Sequence, residues 1–531
     1  MLGKLNIFSC LIAILFFTAV ISSVGYSQLV ISHESGFYNN PFTLEIKSTV
    51  GGLIYYTIDG SEPVSGKEGT FRYRNGIPIA ERNDNSLMYI PTSPLWQKPQ
   101  GDFKKATVLR IIEVVDGKVT DSAVRSYFVG IHHDLPVVSI ITEPSNLFDE
   151  EKGIYVPGKL FDPTNPYWTG NYHQRGNEWE RAAVMEYFEN GKLLYRTDIG
   201  LRIHGEFTRS LPIKSLRLYA RNKEGEFTYP FFGRTGYKKL VLRNSGNDWE
   251  DTYIRDSAIQ EIFKGLKFDT QDNYPVVHYI NGEYWGITYL MEYYDQRYLQ
   301  VKHGVTEKNT VIINGDLSIQ DGKEGSQESF VKLAEFVRDN DLSKPENYVF
   351  ISQVIDIDSY IDYYIAEIIA GNMDWPGNNE RLWRVLKPEN GTFGDGKWRW
   401  MMYDMDLSFW EPSHNTLKAA MYGDPNAPHI LTVGATSTIL FRKILENEEF
   451  KKKFLERFDY IINVVFNENR VINIIDEHAK RISTEIAFHS KRWGKPETDT
   501  WEESVEWMKE FAKERRGYLM KYLNEIFGTD Q

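Results

Sequence analysis

Two short stretches in the second half of the chain hold the side chains best suited to chemistry. GNMDWPGNN carries Asp374 and Asn379 five residues apart, and MMYDMD carries Asp404 and Asp406. The amide oxygen of Asn379 and the carboxylates of Asp404 and Asp406 are hard oxygen donors of the kind that magnesium prefers. Asp374 would lie beside the metal without needing to bind it. These residue types therefore indicate a divalent-cation site with a further carboxylate next to it.

The elements around these stretches are predicted to bring them together. DSYIDYYIAEIIAGN predicts a helix that Asp358 can cap and that Gly371 ends in the left-handed conformation. ERLWRVL and GKWRWMMYDMD then read as two strands separated by a turn-rich segment. If these strands pair as a hairpin, Asn379 and Asp404 face one another across its open end, since paired strands lie about 5 Å apart.

The spacing between Asp374 and Asn379 also occurs in protein kinases. There the catalytic Asp precedes a metal-binding Asn by five residues, and a second metal-binding Asp follows a hairpin. The alternative is that Asp, Pro, Gly and Asn are simply the residues that a turn between a helix and a strand requires. The DMD triplet, Asp404 to Asp406, can likewise be a strand end solvated by its own carboxylates.

The N-terminus predicts export. Lys4 precedes an apolar stretch from Ile7 to Ile21, and small residues follow, which is typical of a secretory signal over residues 1–27. The stretch is shorter than the roughly 20 residues that span a bilayer, so no stable membrane span is expected after cleavage. The single cysteine, Cys10, lies inside this stretch, which excludes disulfides and thiolate zinc sites from the mature chain.

Charge and length narrow the function classes. The formal net charge of −13 removes the electrostatic footprint expected of a nucleic-acid-binding protein. A chain of 531 residues is too long for one ordinary core, so at least two folding units are expected. Their predicted boundaries are residues 28–131 and 132–531.

The first unit alternates apolar and polar residues between Asp-Gly turns, which predicts a small antiparallel β-sandwich. Its YYTIDGSEP stretch resembles the Ig-like module at the C-terminal end of chitobiases and β-hexosaminidases. In the second unit, strands such as KKLVLRNS come first and helices dominate after about residue 325, which indicates an α+β fold. YPVVHYINGEYWGITYLMEYY predicts a hairpin that turns at Asn281-Gly282. HHDLPVVSI is the expected linker between the units.

The second unit resembles the CotH kinases, a family of atypical protein kinases named for spore coat protein H. The resemblance runs from about residue 135 to 525. It is carried by five blocks, namely LRIHGEFTRSLPIKSLRL, LVLRNSGNDWEDTYIRDSAIQEI, INGEYWGITYLMEYYD, GNMDWPGNN and WRWMMYDMDLSFW. It implies a kinase-like fold in which ATP and Mg²⁺ or Mn²⁺ lie between a strand-rich half and a helical half.

The resemblance also implies roles for individual residues. Asp374 would be the catalytic carboxylate that orients a substrate hydroxyl or accepts its proton. Asn379 and Asp404 would hold the metal, with Asp406 as a second candidate ligand. Three further residues would serve the nucleotide: Lys214 and Arg209 would contact phosphates, and Glu292 would pair with Lys214. An ordinary structural or surface role is the alternative for each of these three residues.

The resulting expectation is an exported protein kinase that transfers the γ-phosphoryl group of ATP to Ser or Thr of a protein substrate. The rival expectation is a non-catalytic surface or matrix scaffold with a kinase-like fold. In that case the N-terminal module would contact carbohydrate or the cell surface. A glycoside hydrolase is disfavoured, since no barrel pattern of alternating strands and helices is present.

Overall fold

The computed structural model describes residues 29–376, 378–422 and 435–528. The signal segment predicted for residues 1–27 lies outside these described residues. The described chain confirms the α+β prediction, with strands in its first part and helices in its last. Within these ranges, no helix is both long enough and apolar enough to cross a membrane.

In residues 29–131, the N-terminal module consists of seven short strands and two longer ones around a small core of its own. Leu44, Ile79, Leu109 and Tyr127 are among the side chains buried in that core. Its strands are β1 Leu29–Ile31, β2 Gly36–Tyr38, β3 Phe42–Leu44, β4 Ile46–Ser48, β5 Leu53–Thr57, β6 Phe71–Arg72, β7 Ile77–Ile79, β8 Thr107–Val115 and β9 Lys118–Val129.

The next segment forms a sheet that closes on itself. Its elements are β10 Val137–Ile141, α1 Pro144–Phe148, β11 Arg181–Glu189, β12 Lys192–Ile203, β13 Leu216–Ala220, β14 Lys239–Arg243, α2 Arg255–Ile262, β15 Asn273–Ile280 and β16 Glu283–Glu292. The strand order is β11-β10-β15-β16-β14-β13-β12, and β11 also pairs with β12. The predicted hairpin at Asn281-Gly282 is confirmed as β15–β16, and both turn residues have positive φ, at 47° and 81°.

This sheet continues into the N-terminal module. Gly36 of β2 pairs with Lys192 of β12, and β2 runs parallel to β9. Met88, Phe103 and Phe128 of the module are buried in the same core as the closed sheet. Val137 to Ile140 of the predicted linker belong to β10, so only a short passage separates two units that share a sheet and a core.

The last part of the chain is mainly helical and carries a four-stranded sheet in the order β18-β17-β19-β20. Its elements are α3 Gln296–His303, β17 Thr310–Asn314, β18 Ile319–Asp321, α4 Glu328–Asp339, α5 Pro345–Val354, α6 Ile357–Ala370, β19 Arg381–Val385, β20 Arg399–Met401, α7 Thr416–Tyr422, α8 Ala435–Ile444, α9 Glu448–Tyr460, α10 Glu468–Ile482, α11 Ile486–Trp493 and α12 Thr498–Phe527.

Helix α6 lies behind the predicted site and is buried along nearly its whole length. It ends as predicted, with Gly371 in the left-handed conformation (φ 66°, ψ 35°). The predicted cap is wrong by two residues, because the carboxylate of Asp356 accepts the backbone N–H of Ser359. Asp358 instead lies in the first turn and pairs with Lys453.

Candidate active site

The hairpin predicted from ERLWRVL and GKWRWMMYDMD is formed by β19 and β20. Arg381 pairs with Met401, and Trp383 pairs with Arg399. Asn379 therefore enters the first strand at the end of the ribbon where Asp404 leaves the second. Both residues have a left-handed backbone, with φ of 55° and 60°, which Asn and Asp tolerate better than most residues.

Hydrogen bonds join Asp374, Asn379 and Asp404. Oδ2 of Asp374 accepts from Nδ2 of Asn379 at 2.9 Å and from Nδ2 of Asn378 at 3.1 Å. The same Asn379 amide lies 3.3 Å from the backbone oxygen of Asp404. The structure thus brings together the three residues that the sequence analysis placed at one end of the ribbon.

The carboxylates of Asp404 and Asp406 converge on one guanidinium group. Nη2 of Arg243, the last residue of β14, donates to Oδ1 of Asp404 at 2.8 Å and to Oδ2 of Asp406 at 2.7 Å. The backbone N–H of Asn247 also donates to Oδ2 of Asp406, at 2.9 Å. Oδ1 of Asp406 is buried and has no hydrogen-bond partner among the described residues.

A third carboxylate, that of Asp256 on α2, completes this cluster. Its Oδ2 lies 3.5 Å from Nε of Arg243, and its Oδ1 accepts the backbone N–H of Met405 at 2.9 Å. Burial raises the pKa of Asp406 well above its usual range, against the effect of Arg243 and with that of Asp404 and Asp256. Burial likewise raises the pKa of Asp256. Arg243 therefore compensates only part of the negative charge gathered here.

Three residues of this cluster were not among the predicted site residues, namely Arg243, Asp256 and Gly246. Gly246 has φ +56°, and a Cβ there would collide with the carboxylate of Asp406, so glycine is required for this approach. All three lie in LVLRNSGNDWEDTYIRDSAIQEI, one of the blocks that carries the family resemblance. The family resemblance therefore pointed to this block, but only the folded structure shows that its side chains contact Asp404 and Asp406.

Positive charge extends from Arg243 across one face of the sheet. Arg217 on β13 and Lys239 on β14 share this face, since Arg217 pairs with Val241, the residue between Lys239 and Arg243. The Arg217 guanidinium lies 4.2 Å from the ring centre of Tyr293, and Nζ of Lys239 lies 5.5 Å from it. Nζ of Lys239 pairs with the buried carboxylate of Asp295 at 3.1 Å. Arg217 is therefore the half-buried cation of this face that is placed to meet an anionic group beside the aspartates.

The protonation of His204 is affected by the same positive charges. Its Nδ1 lies 2.8 Å from Nη2 of Arg217. Burial and the charges of Arg217 and Arg243 lower the pKa of His204 well below its usual range. A neutral imidazole that accepts from Arg217 fits this environment.

The structure places Lys214 and Arg209 inside the protein. Nζ of Lys214 is fully buried, donates to the backbone oxygens of Arg209 and Leu211 at 2.8 Å each, and lies 4.0 Å from the ring centre of Tyr172. Burial lowers the pKa of Lys214 well below its usual range. The Arg209 guanidinium donates to three backbone oxygens, those of Gly205, Tyr172 and Gln174. Both cations thus satisfy loop carbonyls.

The predicted pair between Lys214 and Glu292 is wrong. Glu292, at the end of β16, lies 3.2 Å from Nζ of Lys302 and accepts from the hydroxyl of Tyr237. Oε2, the oxygen that lies near Lys302, also accepts the backbone N–H of Asp272 at 2.8 Å. Glu292 lies at the end of the second strand of the hairpin, and its cationic partner, Lys302, comes from the following helix α3. The sequence pattern did not indicate this contact.

The oxygen donors at the ribbon end fit a magnesium-type cation chemically. Asp404 is partly exposed, and Asp406 presents a buried oxygen that no described residue satisfies. In residues 29–376, 378–422 and 435–528, no group of three or more His, Cys, Asp or Glu side chains is arranged to hold a metal ion. A cation would therefore depend on the amide of Asn379 and on oxygens from its ligand.

Comparison with known families places both units. The family model described as CotH kinase protein matches residues 201–519, which is more than half of the chain. The model described as Fn3 associated matches residues 42–127, in agreement with an Ig-like module at the N-terminus. No curated protein shows significant similarity to the chain.

Proposed function

The chain belongs to the CotH kinase protein family, and from this membership we propose that it transfers the γ-phosphoryl group of ATP to a Ser or Thr hydroxyl of a protein. The observation that carries the proposal is the hydrogen-bonded group of Asp374, Asn379 and Asp404. It lies beside an aspartate cluster from which a positively charged sheet face extends. Such a group supplies a proton acceptor, oxygen donors and phosphate-binding cations in one place.

Asp374 is the proposed catalytic residue. The hydroxyl oxygen of the substrate attacks the γ-phosphorus while the bond from that phosphorus to the β–γ bridging oxygen breaks and ADP leaves. The hydroxyl proton passes to the Asp374 carboxylate. Asn379 and Asn378 donate to one oxygen of this carboxylate and fix its direction. The main contributions are then positioning and charge neutralisation.

Asn379, Asp404 and Asp406 are the proposed residues that hold Mg²⁺ or Mn²⁺. When bound, the cation would neutralise charge on the transferring phosphoryl group. Arg243 offsets the repulsion between Asp404 and Asp406 in the unliganded site, because it donates to both carboxylates.

Arg217 replaces Lys214 as the proposed phosphate contact. Arg217 is half-buried on the same sheet face as Arg243, whereas Lys214 is enclosed and bonded to loop carbonyls. A guanidinium also matches phosphate oxygens in a bidentate way. Glu292 has no part in the proposed nucleotide site, since its partners are Lys302 and Tyr237.

An extracytoplasmic location is part of the proposal and rests on the sequence of residues 1–27. Free ATP is scarce outside cells, so a non-catalytic surface scaffold with a carbohydrate-associated module is the second candidate. Thermal unfolding with and without Mg-ATP separates the two, because a nucleotide-binding kinase gains stability and a scaffold does not.

Phosphoryl transfer is tested with radiolabelled ATP, Mg²⁺ or Mn²⁺, and the purified protein as its own acceptor or with a generic protein substrate. We expect Asp374→Asn to lower the rate on the order of a hundredfold or more while nucleotide binding persists. Asp404→Asn should also lose metal-dependent nucleotide binding. Asp499→Asn, on the surface of α12, is the matched control. Equal labelling by all four proteins would reject the proposal.

A further inference from the structure

Side chains of helix α6 contact both ends of the loop that carries Asp374, at Asn372 and at Asn379. Tyr363 and Glu367 lie one turn apart on α6, and both are fully buried. The Tyr363 hydroxyl donates to the backbone oxygen of Asn379 at 3.3 Å. Oε2 of Glu367 accepts from Nδ2 of Asn372 at 3.0 Å, and Oδ1 of Asn372 accepts the backbone N–H of Asp374 at 3.0 Å. Glu367 therefore contacts Asp374 through one intermediate amide.

Asn372 also contacts the segment that carries the other two aspartates. Its Nδ2 lies 3.8 Å from the sulfur of Met405, the residue between Asp404 and Asp406. The neighbouring Met373 donates its N–H to the backbone oxygen of Leu407 at 3.0 Å. The position of the Asn372 side chain thus relates the Asp374 loop to the Asp404–Asp406 segment.

The surroundings of Glu367 favour its uncharged form. Its Oε1 is buried and has no hydrogen-bond partner within the described chain. Two further acids face it, Glu380 beyond the loop and Asp256 on α2, together with the phenol of Tyr363. Burial raises the pKa of Glu367 to about 8, together with the charges of Glu380 and Asp256 and against the effects of Asn372 and Tyr363. An ionised carboxylate here would be desolvated and repelled by both neighbouring acids.

We propose that Glu367 is a positioning residue which, as a neutral carboxylic acid, holds Asn372 and through it the backbone of Asp374 in the geometry needed for phosphoryl transfer. The proposal rests on the kinase activity proposed above for the catalytic part of its test. It assigns a role to a buried acid that touches neither nucleotide nor acceptor. The role requires a carbonyl-type oxygen towards Asn372 and no negative charge.

Two substitutions separate these requirements. Glu367→Gln keeps shape and an oxygen acceptor without a charge, so kcat at pH 7 should stay within about threefold of wild type. Glu367→Leu removes the acceptor and leaves the buried amide of Asn372 unsatisfied, so kcat should fall about tenfold or more with the Kd for Mg-ATP unchanged. Glu514→Gln, exposed on α12, is the matched control.

The pH profile gives a readout that a purely structural role would not move. Wild type and Glu514→Gln should lose kcat above about pH 8, as the buried acid ionises, and Glu367→Gln should keep its kcat there. An alkaline limb that persists unchanged in Glu367→Gln would overturn the neutral-acid role. Loss of activity in Glu367→Gln as large as in Glu367→Leu would also overturn it.

Hydrogen–deuterium exchange tests the positioning independently of activity. Peptides that cover residues 371–376 should exchange faster in Glu367→Leu and at the wild-type rate in Glu367→Gln, while peptides from α12 stay unchanged. If wild type transfers no phosphoryl group, the proposed function fails, and this exchange pattern still decides the positioning role. Unchanged exchange in Glu367→Leu would reject that role even in an active enzyme.

Discussion

Lys105 of the N-terminal module and Glu283 at the start of β16 form an ion pair of 3.1 Å that is almost fully buried. The carboxylate also accepts three backbone N–H groups of the module, those of Ser86, Leu87 and Met88, at 2.7, 3.1 and 2.8 Å. Both charged groups are therefore satisfied across the boundary between the two units. The module is attached through its core, which distinguishes it from an accessory on a tether.

Removing one member of this pair should destabilise the whole protein. Lys105→Met leaves the carboxylate of Glu283 buried without its counter-charge, which typically costs about 3–5 kcal/mol of unfolding free energy. The expected result is one unfolding transition at lower denaturant concentration, measured by fluorescence and circular dichroism together. Lys104→Met is the control, because Lys104 pairs with Glu81 on the surface and exposed pairs contribute roughly 1 kcal/mol or less. Equal stability of the two variants would contradict this prediction.

Local sequence signals were sufficient to predict the β19–β20 hairpin and the residues at its open end. The turn at Asn281-Gly282 and the left-handed Gly371 are encoded by neighbouring residues, and both were predicted. Asn379 and Asp404 were placed together because hairpin pairing follows from two consecutive strands and the turn-rich segment between them. The helix cap was misplaced because Asp356 and Asp358 both precede the same apolar run, and only backbone geometry separates them.

Contacts between distant segments were beyond the sequence pattern. Arg243 lies 161 residues from Asp404, and nothing in its alternating strand shows which side chain it meets. Lys214 precedes β13, where the chain turns inward against Tyr155 and Tyr172, so strand alternation did not indicate its burial. Arg217, three residues later, lies on the sheet face that it shares with Arg243.

Substitution of Lys214 should mainly lower stability, whereas substitution of Arg217 should mainly lower nucleotide affinity. Lys214→Met leaves two loop carbonyls without their donor, so the unfolding free energy should fall by about 2 kcal/mol or more, with the Kd for Mg-ATP unchanged in the folded protein. Arg217→Met should raise that Kd about tenfold and change stability less. Calorimetric titration and urea unfolding measure the two quantities. The reverse pattern would restore Lys214 as the phosphate contact.

Arg243→Met should make the stability of the protein depend on divalent cations. The substitution leaves Asp256, Asp404 and Asp406 without their shared counter-charge, so unfolding should occur at a clearly lower temperature without metal. Mg²⁺ should then raise the melting temperature more in this variant than in wild type, because a bound cation compensates the carboxylates. Arg338→Met, at an exposed ion pair on α4, is the control. An equal magnesium effect in all three proteins would show that these carboxylates do not bind the ion.

Acid should weaken the fold through its buried histidines, and His278 gives the clearest case. Both of its ring nitrogens are buried without a hydrogen-bond partner among the described residues, and burial lowers its pKa to about 3. The unfolded chain binds a proton near pH 6.5, whereas the folded chain does not. The stability contribution is therefore complete above about pH 6.5 and falls as the pH decreases, by roughly 2 kcal/mol at pH 5.

His278→Leu removes this proton-linked loss, so its unfolding free energy should fall less between pH 7 and pH 5 than that of wild type. Urea unfolding at pH 7, 6 and 5 measures the slope directly. His132→Leu, at a solvent-exposed position, should keep the wild-type slope. If His278→Leu also keeps it, the imidazole of His278 is protonated in the folded protein, and the closed sheet around β15 must admit water or a counter-charge at that position.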